Sequence, residues 1–581
     1  MDSPSRARWL AFPRVLWLSL LAALVLSLPT VWVGFVSDDY IHLLILEGHD
    51  AMGSPSDLFR FAGGDAGHLR RLMDHGPYPW WTLPELKLAF WRPLSSALAN
   101  LDYHLFGRDP VGGHLHSLAW YLGMVALFGA LLRRFLPGRL GALALLLFSI
   151  DGAHFMVAGW IANRNALVAS VPALFGLWMH LEWRERHRTW ALPLSLAGLA
   201  VGLMGGETAL GVFAYVLAYE LLGEKGGVKE RLRAIAPAAL LGLIYLGMYK
   251  LRGFGAYGSG SYVDPVGEPV RFLGAALARV PTLMGGLVLA VPADFWLLVQ
   301  ARPVLVGLGL LGLGLLVALV RAAWPSVDAE ERRHCRWLFL GAALSLLPVA
   351  ATFPANRLLL VPGLGASVAV ALVLVSSWRA KAEGSRSRGV AVGAGVLAFS
   401  HFVVAPLLWP LMTLAFLQLR SGTEPMLQTL ERELDYQRLP GQRVIALPIP
   451  APAVGMYVPM VLATRGMPPP HAWWQLSLSP EPHVLTRTGP DSLELSLTRG
   501  HFLTSEFEAV FRGPAHPLRQ GDQVKLEELT VTVLAADEQG ATRLGFTFDR
   551  PLEDPSFVFL RWKDDALRPF TPPPVGERVP L

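Results

Sequence analysis

The sequence predicts a polytopic α-helical membrane protein that ends in a small, water-facing, β-rich (α+β) domain. Only 16% of its 581 residues are charged and 53% are hydrophobic, whereas about 25% are charged in a typical soluble domain. Apolar stretches such as 303–320 and 358–377 approach the roughly 20 residues that a membrane-spanning helix needs. From about residue 415 onward, shorter stretches of alternating apolar and polar residues replace them, and this alternation is typical of strands.

The first hydrophobic stretch, 15–35, follows Arg6, Arg8 and Arg14. It is too long for a secretory signal peptide and lacks a small-residue cleavage site at its end, so we expect it to be the first membrane helix. About eleven transmembrane helices are predicted, at 15–35, 114–132, 140–155, 165–182, 190–205, 207–222, 234–250, 303–320, 337–353, 358–377 and 390–413.

Clusters of Lys and Arg separate these stretches and set the expected orientation, because cytoplasmic loops are enriched in both residues. The clusters lie at 6–14, 133–139, 184–188, 225–233, 321–336 and 379–388. With the helices above, all of them fall on one side, which predicts a cytoplasmic N-terminus and an extracytoplasmic C-terminal domain. The stretch 272–291 contains Arg279 and Pro281 and would move later clusters outside if it spanned, so we expect it to be an interfacial or re-entrant helix.

The predicted domains are a transmembrane domain at 1–414 and an extracytoplasmic β-rich domain at 415–581. Long outer loops at 37–113 and 251–302 interrupt the first domain, and loops of this length in a compact protein are usually functional. Tryptophans of the first loop and its end, Trp80, Trp81 and Trp91, are expected in the headgroup belt or against a sugar. In the second domain we expect a short helix at 426–436 and strands at 443–447, 492–498, 523–534, 543–548 and 557–562.

Several classes of site are excluded by the composition. Cys335 is the only cysteine, so the chain forms no intrachain disulfide and has no CxxC zinc site. The basic residues lie in separate short clusters rather than in one patch, so nucleic acid is not an expected partner. The C-terminal domain shows no nucleophile elbow, metal triad or phosphate-binding loop.

An acidic pair, Asp38 and Asp39, follows the first predicted helix at its outer end. Adjacent carboxylates repel, and both like charge and partial burial raise a carboxyl pKa, so one of the two could act as a general base near neutral pH. The alternative is a pair of solvated charges that ends the helix.

Further ionisable residues lie at the predicted outer ends of the helices. The predicted inner ends, by contrast, show only the charges of the loops. Ionisable groups at membrane depth are costly and by default indicate a functional site, and a transporter would place them near the midplane instead. The pattern predicts a substrate-binding site that opens to the outer face, built from Arg92, Asp102, Asp151, His154, Arg164, Glu207 and Arg357.

In this order the residues resemble the GT-C class of membrane glycosyltransferases, in particular protein O-mannosyltransferase-like enzymes and the tetratricopeptide-bearing transmembrane O-mannosyltransferases. The resemblance covers about 15–370. The matching positions are Asp38-Asp39, Arg92-Pro93-Leu94, Phe106-Gly107, Pro110, His114-Leu115, His154, Trp160, Arg164, Glu207 and Arg357 with Pro362.

The chain departs from that pattern at three positions. Met156 and Ala166 stand where the family has carboxylates, and Gly206 stands where it has a lysine. Tetratricopeptide repeats are absent, since the C-terminal region has no helical period of about 34 residues. Because of these departures, the sequence does not decide the acceptor or the exact donor, and it does not decide whether the chain is an inactive member of the class.

The resemblance implies an inverting transfer of a sugar from a polyprenyl-phosphate donor to a protein or glycan acceptor on the extracytoplasmic face. Asp38 is then the expected base, Asp39 the second candidate, and Arg92 and Arg357 the cations for the leaving phosphate. Part of the class uses a divalent metal ion and the mannosyltransferase branch uses none, so the sequence leaves metal dependence open.

Two other functions remain as alternatives: a transporter or flippase of lipid-linked sugars, and a non-catalytic envelope protein whose outer domain binds partners. The sequence shows no obvious internal repeat, which disfavours the transporter. The high content of Leu, Ala, Gly and Arg would suit the inner membrane of a GC-rich bacterium, and acceptor binding is a hypothesis for the C-terminal domain.

Overall fold

The structure is a computed structural model that describes residues 12–49, 52–449, 455–564 and 566–581. Arg6 and Arg8, which belong to the first basic cluster, lie outside these residues. The described chain divides into two compact units. The helical unit comprises the residues up to Val36, Phe90–Arg252 and Asp264–Phe416, and the mixed unit comprises Ser37–Ala89, Gly253–Val263 and Leu417–Leu581.

The α-helices of both units are numbered together in chain order. They are α1 (Phe12–Ser27), α2 (Asp38–Leu46), α3 (Ala66–His75), α4 (Pro93–Phe106), α5 (Pro110–Phe135), α6 (Arg139–Ser149), α7 (Phe155–Gly159), α8 (Asn165–Arg186), α9 (Ala191–Gly205), α10 (Leu210–Ala218), α11 (Val228–Leu251), α12 (Pro269–Leu289), α13 (Arg302–Ala323), α14 (Ala329–Val349), α15 (Pro362–Ala382), α16 (Arg388–Phe399), α17 (Ala405–Glu433), α18 (Val458–Thr464) and α19 (Glu506–Phe511). Four of them begin with a proline, which has no N–H to leave unpaired in the first turn.

Among the described residues, eight helices are long and apolar enough to cross a membrane, or nine if the bent pair of α6 with Gly152–Gly159 is one span. The chain is therefore a multi-pass membrane protein, but the predicted number of eleven helices is not confirmed. The eight are Phe12–Trp32, Pro110–Phe135, Ile161–Arg186, Val228–Leu251, Pro269–Leu289, Val299–Ser326, Pro362–Ala382 and Arg388–Glu433.

The predicted helices that do not meet this criterion differ from a regular apolar span in identifiable ways. The bent pair changes direction by 44° between α6 and the turn that follows. Helix α9 is apolar but only 15 residues long, and α14 begins with two turns rich in charged residues. The stretch 207–223 passes from a 3-10 turn through α10 into a π-helical turn.

Helix α12 differs from its sequence-based expectation. Although Pro281 lies inside it, Pro269–Leu289 forms one continuous helix and is among the eight that meet the length and composition of a span. Its placement as an interfacial or re-entrant segment stays a prediction.

Small residues bring α8 and α9 close together. A Cβ atom at Gly198 would lie 2.8 Å from the backbone nitrogen of Gly176, and one at Gly205 would lie 2.6 Å from that of Ala169. Small side chains allow transmembrane helices to approach to backbone contact. This packing fixes the C-terminal end of α9, and with it the position of Glu207.

Helix α17 crosses the predicted domain boundary without a break, so the short helix expected at 426–436 is its C-terminal part. Its last turns are stabilised by packing, because Met426, Leu427 and Leu430 are buried in a hydrophobic cluster of the mixed unit.

The mixed unit contains all the described strands. They are β1 (Arg60–Gly63), β2 (Lys87–Ala89), β3 (Gly255–Tyr257), β4 (Arg443–Ala446), β5 (Ala472–Gln475), β6 (His483–Arg487), β7 (Ser492–Leu497), β8 (Gln523–Lys525), β9 (Leu529–Asp537), β10 (Gly540–Phe548), β11 (Phe557–Lys563), β12 (Ala566–Pro569) and β13 (Arg578–Pro580). The β-rich C-terminal region is thus confirmed, with a strand at each predicted stretch.

These strands form three sheets. The antiparallel sheet β1-β2-β3 joins the segments that precede and follow most of the membrane helices of the first half of the chain. A six-stranded antiparallel sheet has the order β13-β6-β7-β10-β9-β8, and a four-stranded sheet has the order β12-β11-β4-β5, in which β4 pairs in parallel with both neighbours.

One hydrophobic core is shared by the C-terminal strands and the segment 62–88. Trp80 and Trp81 are 1% and 0% exposed in it, and the indole of Trp80 donates to the carbonyl oxygen of Leu476 at 3.0 Å. The expectation that these two tryptophans line a sugar or lie among lipid headgroups is therefore wrong, because the strands of the C-terminal region cover them.

Candidate functional site

The acidic pair lies in the first turn of α2 in the mixed unit, so it begins a helix rather than ending one. Carboxylates are stabilised at this position by the positive end of the helix dipole. Ser37, which precedes the pair, has φ of +48°, a conformation that is strained for a residue with a side chain and is often found at functional sites. Asp39 is only 4% exposed, whereas Asp38 is half-buried.

The hydroxyl of Tyr457 donates a hydrogen bond to Oδ1 of Asp38 at 2.6 Å. Burial raises the pKa of Tyr457, and the negative charge of Asp38 raises it further. Burial also raises the pKa of Tyr78, with a smaller contribution from Asp38. Both phenols are therefore protonated and can serve as hydrogen-bond donors at neutral pH.

Aromatic rings line the same helix one turn further along. His42, four residues after Asp38, makes an edge contact with Phe59 at 4.8 Å between ring centroids and lies parallel to Phe61 at 6.2 Å. The backbone oxygen of Phe61 accepts the hydrogen bond of Tyr78. Aromatic residues of the segment that follows α2 thus pack against His42 in this helix.

In the helical unit, Arg92 and Glu207 form an ion pair at the ends of α4 and α9. Nε of Arg92 lies 2.8 Å from Oε2 of Glu207, and the hydroxyl of Tyr249 donates to Oε1 at 3.0 Å. Gly206 lies against the same arginine, since a Cβ there would be 3.4 Å from Nε of Arg92. Arg92 therefore supplies the positive charge beside Glu207 that the family's lysine at position 206 would supply.

Asp102 and Arg164 form a second, buried ion pair, with 2.5 Å between Oδ2 and Nη2. Nδ1 of His116 lies 2.7 Å from the other oxygen of Asp102, and Arg164 also donates to the carbonyl oxygen of Gly113 at 3.1 Å. This network joins α4, α5 and the turn before α8. Its geometry supports a structural role, and substrate binding by these two residues stays a prediction.

Asp151 and His154 lie at the junction of the bent helix pair. Asp151 caps the short turn by accepting from the backbone N–H of Ala153 at 3.0 Å. His154 is 1% exposed and packs against Phe148 and Tyr121, with ring centroids at 4.5 and 5.8 Å. The structure thus encloses His154 among aromatic rings inside the helical unit.

Arg357 lies in the loop between α14 and α15, with its guanidinium over the rings of Trp160 and Phe353 at 5.6 and 5.1 Å. It forms no salt bridge with the residues that the structure describes. Trp160 in turn donates to the carbonyl oxygen of Val36 at 3.0 Å, the last residue before the mixed unit begins. Aromatic faces hold this cation without neutralising it.

The loop that carries Arg357 is fixed by its neighbour Asn356. The side-chain oxygen of Asn356 accepts from the backbone N–H of Ala293 at 2.9 Å, and its own backbone N–H donates to Asp294 at 3.1 Å. Burial raises the pKa of Asp294, and the charge of Arg357 opposes this increase. Two loops of the helical unit are thereby tied together beside the arginine.

At the other end of α8, the structure contradicts the expectation that the inner helix ends carry only loop charges. Glu220 is 1% exposed and accepts hydrogen bonds from Arg184 and from Nε2 of His180, both at 2.8 Å. Glu182 pairs with Arg134 in the same region. Buried ion pairs therefore occur at both ends of the helical unit.

The sequence did not predict roles for Tyr457, Tyr249 or Glu220. For Glu220 a signal existed, since a carboxylate within an apolar predicted helix indicates a buried partner. For Tyr457 no signal was available, because it lies 419 residues from Asp38 and belongs to no motif. Among the described residues, no group of three or more His, Cys, Asp and Glu side chains could hold a metal ion, and metal dependence stays open.

The fold and these clusters define a polytopic α-helical membrane protein with a discontinuous α+β unit that carries an acidic pair. No protein-family model matches the chain. Its sequence is similar to that of protein O-mannosyl-transferase Tmtc1 of Drosophila melanogaster, with 28% identity over 195 residues. The match confirms the resemblance to GT-C membrane O-mannosyltransferases. It covers 32% of the present chain, and the chain spans only a fifth of that relative's length.

Solved structures of membrane glycosyltransferases also align with the chain. The oligosaccharyltransferase of Archaeoglobus fulgidus, tethered with an acceptor peptide, is 11% identical over 79% of this chain and 63% of its own, with a TM-score of 0.37. ArnT from Cupriavidus metallidurans, bound to undecaprenyl phosphate, is 16% identical over 77% of this chain and 84% of its own, with a TM-score of 0.29. At such scores neither adds an argument about the site.

Proposed function

We propose that this protein is an inverting membrane glycosyltransferase that moves a sugar from a polyprenyl-phosphate donor to a protein or glycan acceptor on the extracytoplasmic face. The observation that carries the proposal is the acidic pair at the start of α2, in which a half-buried Asp38 is held by the hydroxyl of Tyr457. A fixed carboxylate with access to solvent is what a general base for such a transfer needs.

In the proposed reaction, the oxygen of an acceptor hydroxyl attacks the anomeric carbon of the donor sugar. Asp38 accepts the hydroxyl proton, the new glycosidic bond forms on the opposite face, and the bond from the anomeric carbon to the phosphate oxygen breaks. The phosphate leaves with the electron pair of that bond. Asp38 is a better candidate for the base than Asp39, because Asp39 is 4% exposed and less accessible to an acceptor.

Between the two arginines proposed for the leaving phosphate, the contacts favour Arg357. Its guanidinium is flanked by aromatic rings and forms no salt bridge with described residues, and its electrostatic contact with Asp294 offsets less of its charge than a direct ion pair would. Arg92 instead pairs with Glu207, which offsets much of its charge. Fixed cations that meet charge developing on the leaving group lower the barrier more than they strengthen ground-state binding.

The test is turnover of a panel of radiolabelled polyprenyl-phosphate sugars by the protein in lipid, with both sugar transfer and slow donor hydrolysis scored. We expect Asp38→Asn to lower kcat by roughly 100-fold or more, as loss of a general base does, and Asp39→Asn to have a smaller effect. The matched control is Asp57→Asn, which removes a half-buried carboxylate from the same unit that forms an ion pair with Arg60.

Turnover by the wild type that survives Asp38→Asn would exclude Asp38 as the base. If the wild type neither binds nor consumes any donor, the protein is not a transferase of this class, and the departures at Met156 and Gly206 would then support a non-catalytic binding protein.

A further inference from the structure

We infer that Tyr457 is a positioning residue for the acidic pair, so that the C-terminal region completes the site that begins at Asp38. The inference rests on the proposed function. Tyr457 lies directly before α18, which packs against α2 within the mixed unit. Its hydroxyl meets Oδ1 of Asp38 at 2.6 Å, which is in the range of a charge-assisted hydrogen bond.

A hydroxyl that donates to a carboxylate stabilises the ionised form of the carboxylate, and the ionised form is the one that can accept a proton from an acceptor. The hydrogen bond also fixes the direction of the carboxyl group. A carboxylate that is already held in the reactive orientation does not have to be ordered when the acceptor binds. Misplacement of a catalytic group by about 1 Å can lower the rate on the order of 100-fold.

All three chain segments of the mixed unit contribute ionisable groups near Asp38 or Tyr457. Asp38 and Tyr78 come from the first segment, Tyr262 from the second, and Tyr457 from the third. The titratable and charged groups that face the pair or the residue after it are Asp39, Tyr40, Tyr78, Tyr262, Arg420, Glu424 and Arg465.

This arrangement gives the C-terminal region a role in positioning the base, which differs from acceptor binding. The motifs that resemble the GT-C class all lie before residue 370, yet the carboxylate expected to act as base is held by a residue beyond residue 450. A chain that lacks the C-terminal region would keep every motif and still lose the hydrogen bond from Tyr457 to Asp38.

The test compares Tyr457→Phe with Tyr436→Phe in the full-length protein. Tyr436 is a suitable control because it lies in the same unit and its buried hydroxyl forms no hydrogen bond with described residues. We expect Tyr457→Phe to lower kcat roughly 10- to 100-fold, the effect of losing one hydrogen bond to a charged group, and to leave KM unchanged. The acidic limb of the pH–rate profile should move to higher pH, because Asp38 loses the donor that favours its ionised form.

A second measurement separates this inference from the proposed function. An infrared titration follows the carboxylic acid band that disappears in Asp38→Asn, and it requires no turnover. We expect Tyr457→Phe to move the midpoint of that band to higher pH by about one unit or more, and Tyr436→Phe to leave it unchanged.

If Asp38→Asn abolishes turnover while Tyr457→Phe changes neither the pH–rate profile nor the infrared midpoint, the proposed function stands and the role of Tyr457 is overturned. If no donor is consumed at all, the proposed function fails, and the infrared midpoint alone still decides whether Tyr457 controls Asp38. Equal effects of both tyrosine substitutions would show a merely structural contribution and would also overturn the inference.

Discussion

Arg92 and Glu207 are joined by a hydrogen bond of 2.8 Å although 115 residues separate them in the chain. Their side chains are 20% and 26% exposed, so the pair is only partly screened by water. The contact brings together the start of α4, the end of α9 and the C-terminal turn of α11, where Tyr249 binds the second oxygen of Glu207. Three chain segments therefore depend on one carboxylate.

A double-mutant cycle with Arg92→Met and Glu207→Gln should give a coupling free energy of about 1–3 kcal/mol, because a partly buried, hydrogen-bonded charge pair is lost. The measurement is denaturant or thermal unfolding in detergent. The control cycle uses Arg438 and Asp435, which are 79% and 53% exposed and should couple by less than about 0.5 kcal/mol. Equal coupling in both cycles would contradict the structural importance of the Arg92–Glu207 pair.

Gly76 should tolerate no side chain. It has φ of +95°, and a Cβ there would lie 1.8 Å from the carbonyl oxygen of Trp473, so the backbone itself would have to move. Gly48 has φ of +96° and nothing within 4 Å of an added Cβ, which makes it a matched control for backbone strain alone.

We expect Gly48→Ala to cost about 1 kcal/mol from the left-handed conformation and Gly76→Ala at least about 3 kcal/mol, since overpacking adds to the same strain. The measurement is denaturant unfolding followed by tryptophan fluorescence, to which the buried Trp80, Trp81 and Trp474 of the mixed unit contribute. Equal costs for the two alanines would show that the turn after α3 does not pack on strand β5.

Acid should destabilise the mixed unit through His483. Burial lowers the pKa of His483 to about 4, and its Nε2 lies 3.0 Å from the hydroxyl oxygen of Ser477. In the unfolded chain the pKa is about 6.5, so between these two values the unfolded state binds a proton that the folded state does not. The free energy of unfolding therefore falls as pH decreases from 6.5 to 4, by about 3 kcal/mol in total.

Replacing His483 with Gln keeps a polar partner for Ser477 and removes the titration. The difference in unfolding free energy between wild type and variant should be constant above about pH 7 and should change by roughly 3 kcal/mol between pH 7 and pH 4. A difference that stays constant over this range would show that His483 is accessible to protons in the folded state.

The discontinuity of the mixed unit constrains how the chain crosses the membrane. Because Ser37–Ala89, Gly253–Val263 and Leu417–Leu581 fold together, the intervening stretches each begin and end on one side and cross an even number of times. Four helices of the stretch after Asp264 meet the criterion for a span: α12, α13, α15 and the helix that begins at Arg388. If α14 crosses as well, the number of crossings stays even only if one of the five, such as the predicted re-entrant α12, does not cross.

Single-cysteine labelling tests this topology, since Cys335 is the only native cysteine and can be replaced by Ala. Cysteines placed at Ser56, Tyr257 and Thr498, all exposed in the mixed unit, should react with a membrane-impermeant maleimide from the same side. Cysteines at Thr189 and Ser385, also exposed, should react only from the other side. Labelling of all five positions from one side would contradict the predicted orientation of the basic loops.

The sequence predicted the helical and strand segments well where a pattern extends over many residues. Strands β7, β10 and β11 lie where period-two alternation predicted them, and the charge clusters bound most of the observed helices. It could not predict that Trp80 is buried against Leu476, because the contact spans almost 400 residues and an aromatic residue in a loop gives no sign of what covers it.

For the candidate site residues, the presence of a charged residue in an apolar stretch predicted a buried or functional role. It did not predict which partner each charge would bind. Arg92 was expected to bind phosphate, yet its position beside Gly206 gives it Glu207 as a partner. Asp102 and Arg164 were both assigned to a substrate, and they bind each other. Such pairings depend on how helices pack, and helix packing is set by small residues such as Gly198 rather than by the charges themselves.

The interleaved origin of the mixed unit has a consequence for biosynthesis. Segment 37–89 leaves the ribosome long before its core partners beyond residue 442, and at 5–20 residues per second the delay is roughly 20–70 s. During this time Trp80 and Trp81 lack the surface that later buries them, so both stay exposed until the C-terminal strands have been made. Premature termination before the C-terminal strands would therefore leave a chain that contains the membrane helices but exposes the aromatic residues of segment 37–89.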